Sequence, residues 1–398
     1  MVQKKYDVCI VGGAGRVGLP LGIALADREQ NTVLYDLNDN ALKILAAGCM
    51  PFLENGAEEI LKKVLNNKLA FSSEREVIAQ SRFLVIVVGT PVDEHLNPQF
   101  AAFRKLFDDL SDLISDDQHI VLRSTVYPGT TEKIKQYLTA IGKETKLSFC
   151  PERIAEGKAM EELYSLPQIV AAFDEESQKE ASELFGLLTP EILFLSPKEA
   201  ELAKLFTNVW RYIQFAVSNQ FYQIADLNGL DFYRIREAMT YKYPRVQGFP
   251  GAGFAAGPCL FKDTMQLAAF HNNNFFIGHA AMLANEGLPN YIIQKLKDKY
   301  DLNNKIVGIL GMAFKANSDD KRESLSYKLM KMLEMEAKQV LCTDVYIAEE
   351  GFVTADQLIE KADIIVLAAG HDEYKYVKVS NDQVLIDVWN FFGKGGLI

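Results

Sequence analysis

The stretch "VCIVGGAGRVGLPLGIALA" constrains the fold more than any other part of the chain. Gly13, Gly15 and Gly18 stand in the spacing G-x-G-x-x-G, after a β-rich apolar run and before a helical one. Such a turn brings backbone close to a diphosphate and aims the N–H groups and positive end of a helix at it. Arg16 and Val17 lie inside the turn. Asp36 ends the next apolar run, "TVLYD", eighteen residues after Gly18. An acid there accepts hydrogen bonds from an adenosine ribose and repels a 2′-phosphate, so the expected cofactor is NAD rather than NADP. The alternative is a glycine turn used only for packing; the strand, the helix and Asp36 together weigh against it.

The pattern around this motif repeats. "YDVCIVG", "TVLYD", "FLVIVVG", "HIVLRST", "LSFCP", "QIVAAF" and "EILFLS" read as buried strands, separated mostly by amphipathic segments such as "QFAAFRKLFDDLSDLIS". That alternation predicts a parallel sheet covered by helices. At "SPKE" it stops. Ser196 reads as an N-cap, Pro197 as the first helical residue and Glu199 as the partner of a capping box. No breaker occurs until Asn228-Gly229, so one helix of about thirty residues is expected. Helical patterns continue to about residue 300, interrupted by "GFPGAGFAAGPC". Strand–helix alternation returns at Lys305. The expected fold class is α/β, with two Rossmann-like parallel-sheet domains joined by a helical one. The expected boundaries are 1–195 for the dinucleotide domain, 196–300 for the helical domain and 301–398 for a second Rossmann-like domain.

Composition narrows the function. A formal net charge of −11 disfavours nucleic acid, which needs clustered positive charge. The longest apolar runs are too short to span a bilayer. The five cysteines are widely spaced and form no CxxC pair, which argues against a disulfide framework and for a reducing compartment. With no cleavable leader pattern before the first strand, a cytoplasmic location is expected. The five histidines form no close ligand pair, so no metal is expected.

Several side chains could carry chemistry, each with a plainer reading beside it. Lys204 and Asn208 share a helix face and could hold a developing oxyanion, or could be an ordinary polar face. Ser124 and Thr125 come after one strand; Glu152 and Glu156 come after the next. Such carboxylates serve as acid/base groups or as helix caps. In "GPCLFKD", Cys259 precedes Lys262 and Asp263. An ammonium favours a thiolate and an aspartate can activate water, although free cysteine is more often simply buried. In the last α/β segment, "KIVGILGMAFK" has Gly308 and Gly311 but lacks the third glycine. Lys315, Lys321 and Arg322 come next, where a nucleotide diphosphate or only solvent would meet them.

Taken in order, "GGAGRVGLPL", "VGTP", "STVYPGTT", "CPERIAEG", the Lys204/Asn208 pair, "YPR", "GPCLFKD" and "GMAFKANSDDKRES" resemble the nucleotide-sugar 6-dehydrogenase family, which includes UDP-glucose, UDP-N-acetylhexosamine and GDP-mannose dehydrogenases. The resemblance runs from about Tyr6 to Asn390. It implies a four-electron oxidation of a sugar 6-hydroxymethyl to a carboxylate with two NAD+. On this chain it makes Cys259 the nucleophile, passing through a thiohemiacetal and a thioester. Asp263, with Thr125, would position the hydrolytic water. Lys204 and Asn208 would stabilise oxyanions, and Glu152 would assist proton transfer. Gly89, Thr90, Pro91, Ser124, Thr125, Glu156 and Arg322 become cofactor contacts beside Gly13, Gly15, Arg16, Val17, Gly18 and Asp36. Glu152, Arg153, Lys204, Asn208, Gly253, Phe314 and Lys315 become substrate contacts, and Arg245 of "YPR" would reach a neighbouring subunit's substrate in a homodimer.

The chain departs from the pattern in places. "GFAAGPC" stands where relatives commonly have "GFGGxC", Phe261 stands where proline is frequent, and Ala41 stands where some relatives place a basic residue near the ribose. None of these removes a catalytic side chain. "CPER" and "GPCL" resemble the branch acting on UDP-N-acetylhexosamines, so UDP-N-acetylmannosamine or UDP-N-acetylglucosamine is the expected substrate, in polysaccharide precursor synthesis. UDP-glucose is the alternative. A two-electron hydroxyacid dehydrogenase would leave about 100 C-terminal residues unexplained. A non-catalytic NAD-dependent sensor would leave the retained Cys259, Lys204, Asn208 and Asp263 unexplained.

Overall fold

The computed structural model describes residues 4–89 and 100–394. Among them the strands form two sheets, within two compact units, Met1–Phe206 and Thr207–Ile398.

In the first unit, eight strands are β1 (Tyr6–Val11), β2 (Thr32–Tyr35), β3 (Leu69–Ser72), β4 (Ser81–Ile86), β5 (His119–Leu122), β6 (Lys146–Phe149), β7 (Gln168–Ala172) and β8 (Ile192–Leu195). Their order is β3-β2-β1-β4-β5-β6-β7-β8. The order reverses between β1 and β4, so the end of β1 is the switch point where doubly wound sheets bind ligands. Strand alternation sorts the core. Val8 and Ile10 pack with Leu19, Leu21 and Ile23 of the helix Gly18–Asp27 on one face. Cys9 and Val11 pack with Phe103 and Phe107 on the other.

Three details differ from the sequence reading. β3 was not expected; its burial is uneven, with only Leu69 fully inside, so the run "LAFS" carries little strand pattern. β6 and β7 pair antiparallel, which breaks an otherwise parallel sheet. β8, read as a buried strand, is the sheet edge, and Leu193 and Phe194 are exposed.

The helix Pro197–Leu227 runs 31 residues and ends where Asn228-Gly229 was expected to stop it. At its start the Glu199 carboxylate reaches back as foreseen, accepting from the Ser196 N–H (2.8 Å) and hydroxyl (2.7 Å). Glu201 is buried beside it. Its carboxylate accepts from the amides of Gly129 (2.5 Å) and Thr131 (2.8 Å), the start of the helix Thr130–Ala140. Burial pushes this carboxyl above its usual range, against the pull of those hydrogen bonds.

In the second unit, β9 (Ile306–Leu310), β10 (Gln339–Thr343), β11 (Ile364–Leu367) and β12 (Val384–Asp387) form a parallel sheet in the order β10-β9-β11-β12. Its core is continuous with helical residues, among them Tyr222, Phe232, Leu288, Ile292 and Leu296. No helix among the described residues is long and apolar enough to cross a membrane.

Candidate active site

The glycine turn is built around β1. A Cβ on Gly13 would stand 2.7 Å from Leu34 Cβ and 2.9 Å from the Ile10 carbonyl oxygen; one on Gly18 would stand 2.7 Å from the Gly12 oxygen. Both must be glycine for packing. Gly15 differs: the nearest neighbour to its Cβ would be the Gly12 oxygen at 3.5 Å, an ordinary contact. The fold does not require glycine there, but close approach of a diphosphate does. Asp36 is clamped beside the turn, accepting from the amides of Ala14 (2.9 Å) and Asn38 (2.9 Å). Arg16 stacks over the Phe52 ring (4.8 Å) and lies 3.8 Å from the Glu156 carboxylate, so two expected cofactor residues meet. Val17 leads directly into the helix Gly18–Asp27. The donors, the open glycine and the acid fit NAD at this edge.

The neighbouring strand ends carry the next group. Ser124 donates to the Val88 carbonyl (2.6 Å), tying the loop after β5 to the loop after β4, just before Gly89. Thr125 comes next, half-buried. Thr90 and Pro91 lie outside the described residues. Glu152 is buried and already engaged. Arg123 donates to its Oε2 through Nε (2.9 Å) and Nη2, and the Arg153 (2.6 Å) and Ile154 (3.0 Å) amides donate to Oε1. Arg123 is fully buried and also reaches the Cys150 carbonyl and Gln168. This arginine was missed from sequence; its only signal was a charge at the end of the apolar run "HIVLR". The Arg153 guanidinium donates to the Pro167 carbonyl. Lys204, half-buried, lies one helical turn before Asn208.

In the second unit, Cys259 stands at the N-cap of the helix Leu260–Phe270 and is exposed. Cys9, Cys150 and Cys342 are buried, and burial pushes each thiol up to about 12. The plain reading of a buried cysteine therefore describes those three and not Cys259. One turn on, Asp263 is almost wholly buried. Its Oδ2 accepts from Asn208 Nδ2 (2.6 Å), and its Oδ1 has no hydrogen-bond partner, with the Lys262 ammonium 3.7 Å away. A buried carboxylate oxygen without a donor is costly unless a water or substrate hydroxyl supplies one.

The loop leading to Cys259 is positioned by two residues that sequence reasoning missed. Asn219, on the long helix, grips Gly253 by both backbone groups: Oδ1 accepts from its N–H (2.9 Å) and Nδ2 donates to its carbonyl (3.1 Å). Asn285 accepts from the same Nδ2 (2.9 Å) and donates to the Tyr212 carbonyl (2.9 Å). Both asparagines are fully buried. Gly253 lies against Trp389, and Gly257, at φ +102°, lies against the Phe314 ring. The "GPCLFKD" and "GMAFK" motifs are thus packed together. Lys315 has its ammonium 5.6 Å from the Phe314 ring centre. Arg322 pairs with Asp320 through Nε and Nη2, at 2.6–3.0 Å. Arg245 is exposed on the turn Pro244–Val246, against the hydroxyl of its neighbour Tyr243 (3.0 Å).

Comparison with known proteins identifies three matching domains along the chain. Residues 6–189 match the NAD binding domain of the UDP-glucose/GDP-mannose dehydrogenase family, 198–286 its central domain and 308–394 its UDP binding domain. A UDP-N-acetyl-D-mannosamine dehydrogenase of Methanocaldococcus jannaschii is 29% identical over 376 residues, 92% of this chain and 86% of the relative. The structure of a UDP-D-ManNAc dehydrogenase from Pyrococcus horikoshii superposes with a TM-score of 0.90 at 25% identity, covering 98% of this chain and 97% of that one. A UDP-glucose dehydrogenase from Pyrobaculum islandicum gives 0.88 at 26% identity, covering 96% and 94%. The chain belongs to the UDP-glucose/GDP-mannose dehydrogenase family of NAD-dependent nucleotide-sugar dehydrogenases.

Proposed function

We propose that this chain oxidises the C6 hydroxymethyl of a UDP-N-acetylhexosamine, most closely UDP-N-acetylmannosamine, to the carboxylate. The observation that carries the reading is the exposed Cys259 at a helix start, with the Asp263–Asn208 pair one turn behind it. When bound at the glycine turn, NAD+ supplies a hydride acceptor. Cys259 adds its sulfur to the C6 aldehyde, giving a thiohemiacetal that keeps a tetrahedral carbon bearing O–H. After oxidation the same sulfur carries the acyl group as a thioester, so no reactive aldehyde leaves the site. The buried Asp263 Oδ1 takes a proton from water as that water adds to the thioester carbon. The C–S bond then breaks, the thiol is restored and the uronate is released. Lys204 and the Asn208 amide stabilise the oxyanions. Glu152, saturated by Arg123 and two amides, acts through an ordered water or by holding its loop. The identity of the sugar rests on likeness to relatives named for UDP-N-acetyl-D-mannosamine.

A homodimer belongs to the same proposal. Phe206, Trp210, Val217, Phe221 and Ile224 are exposed along one face of the long helix, with Trp210 60% exposed. Such a contiguous apolar stripe marks an interaction surface. Leu205 and Val209, on the flank of this stripe, are buried. A fully active monomer in sedimentation would contradict it.

The test of function is NADH release over a panel of UDP- and GDP-sugars. Two NADH per UDP-N-acetylmannosamine support the proposal. One NADH with any hydroxyacid, or none with any nucleotide sugar, contradicts it.

A further inference from the structure

Asp344, just past β10, ties the start of the turn that comes after β9 to the loop after β10. Its Oδ2 accepts from the amides of Met312 (2.6 Å) and Ala313 (3.0 Å), and its Oδ1 from those of Tyr346 (2.8 Å) and Ile347 (3.1 Å). The His371 Nε2 lies 3.1 Å from the same Oδ2, and the Asn317 amide donates to His371 Nδ1 at 2.9 Å. A backbone N–H can only donate, so Nδ1 carries no proton. The proton of the neutral ring is on Nε2 and points at Asp344. The ring is fully buried, edge-on to Tyr346 (5.0 Å, 85°) and 5.5 Å from Tyr374. Asn317 takes a left-handed φ of 53°, and its side chain exchanges two hydrogen bonds with Asp372 (3.0 and 2.9 Å). One carboxylate and one imidazole thus fix residues 312 to 317 at both ends. Phe314 and Lys315 lie between those ends.

We infer that His371 is a positioning residue for the nucleotide-sugar site: through Asn317 on one side and Asp344 on the other, it sets where the turn presents Phe314 and Lys315. The inference rests on the proposal that this turn meets the UDP-sugar. His371 touches neither substrate nor cofactor. Its effect is to hold a turn that otherwise has conformational freedom to lose on each binding event.

The test uses the full-length enzyme and UDP as probe, by calorimetry, together with KM for the sugar and for NAD+. If wild type binds no UDP, the site reading fails before His371 is questioned. If it binds, His371→Leu, which removes both bonds and leaves Asp344 short of a donor, weakens UDP and raises the sugar KM by about tenfold. Its kcat and its KM for NAD+ stay within about twofold. His371→Gln, whose amide offers one acceptor and one donor, recovers most of the loss. If His371→Leu does not fold, His371→Asn still gives a reading, because its shorter amide reaches only one partner and lowers UDP affinity. Wild-type UDP affinity in these variants overturns the inference, as does a loss spread equally over kcat and both KM values.

Discussion

The two sheets use one device for two ligands. At the end of β2, Asp36 clamps the turn after β1 through the Ala14 amide; past the end of β10, Asp344 clamps the turn after β9 through Met312 and Ala313. Beyond the clamped amides the two turns differ. The first turn continues with Gly15, whose missing side chain leaves the backbone bare. The second buries Met312 and Ala313 and continues with the partly exposed Phe314 and Lys315, which carry side chains. A bare turn suits a diphosphate held by amides, and a furnished one suits a ligand read by a ring and a cation. The acid after the second strand therefore holds the neighbouring turn in both units, and the bare Gly15 is what distinguishes the turn proposed for the dinucleotide.

The harshest challenge to this comparison is a methyl group where each turn is closed. Gly13→Ala meets Leu34 and backbone at under 3.0 Å, and Gly311→Ala, at φ +91°, meets the Ala369 carbonyl oxygen at 2.5 Å. Each costs about 1–3 kcal/mol or more in chemical denaturation; an unchanged midpoint in either breaks the parallel. Gly15→Ala sharpens it: the denaturation midpoint stays near wild type while KM for NAD+ rises by about a hundredfold and KM for the sugar does not. A fall in stability instead would make Gly15 another packing glycine. Asp36→Asn keeps an acceptor for Ala14 but loses the charge, and should cut the preference for NAD+ over NADP+ by about tenfold in kcat/KM. Asp344→Asn has the mildest effect, about three- to fivefold on the sugar KM alone, since the amide still accepts from one side. A change in cofactor selectivity there would show that the two acids are not confined to their own turns.

Sequence reading recovered what short-range pattern encodes. The strands around β1 and β9, the start of the long helix at Ser196 and its end before Asn228-Gly229 all rest on contacts or periods within a few residues. The glycine turn and Asp36 were legible because the spacing itself is the signal. The supports were not. Asn219 and Gly253 are 34 residues apart, Asn219 and Asn285 are 66 apart, and His371 and Asn317 are 54 apart. Nothing local in "SNQF" or "GHDE" says that these side chains are buried and bonded. β3 and the exposed edge β8 were misjudged for the same reason: burial of a short strand depends on its neighbours in the sheet, which the segment does not contain.

The central claim, that Cys259 carries the substrate covalently, is tested most directly by the intact mass of Cys259→Ser after mixing with UDP-N-acetylmannosamine and NAD+. Serine oxygen still adds to the aldehyde, and the resulting ester hydrolyses slowly because an alkoxide leaves less readily than a thiolate. The account predicts a mass increase of one nucleotide-sugar acyl group, a small NADH burst, and steady turnover reduced by about a thousandfold or more. Cys259→Ala should show no adduct and, at most, two-electron oxidation. Near-normal four-electron turnover by Cys259→Ala would contradict the account outright.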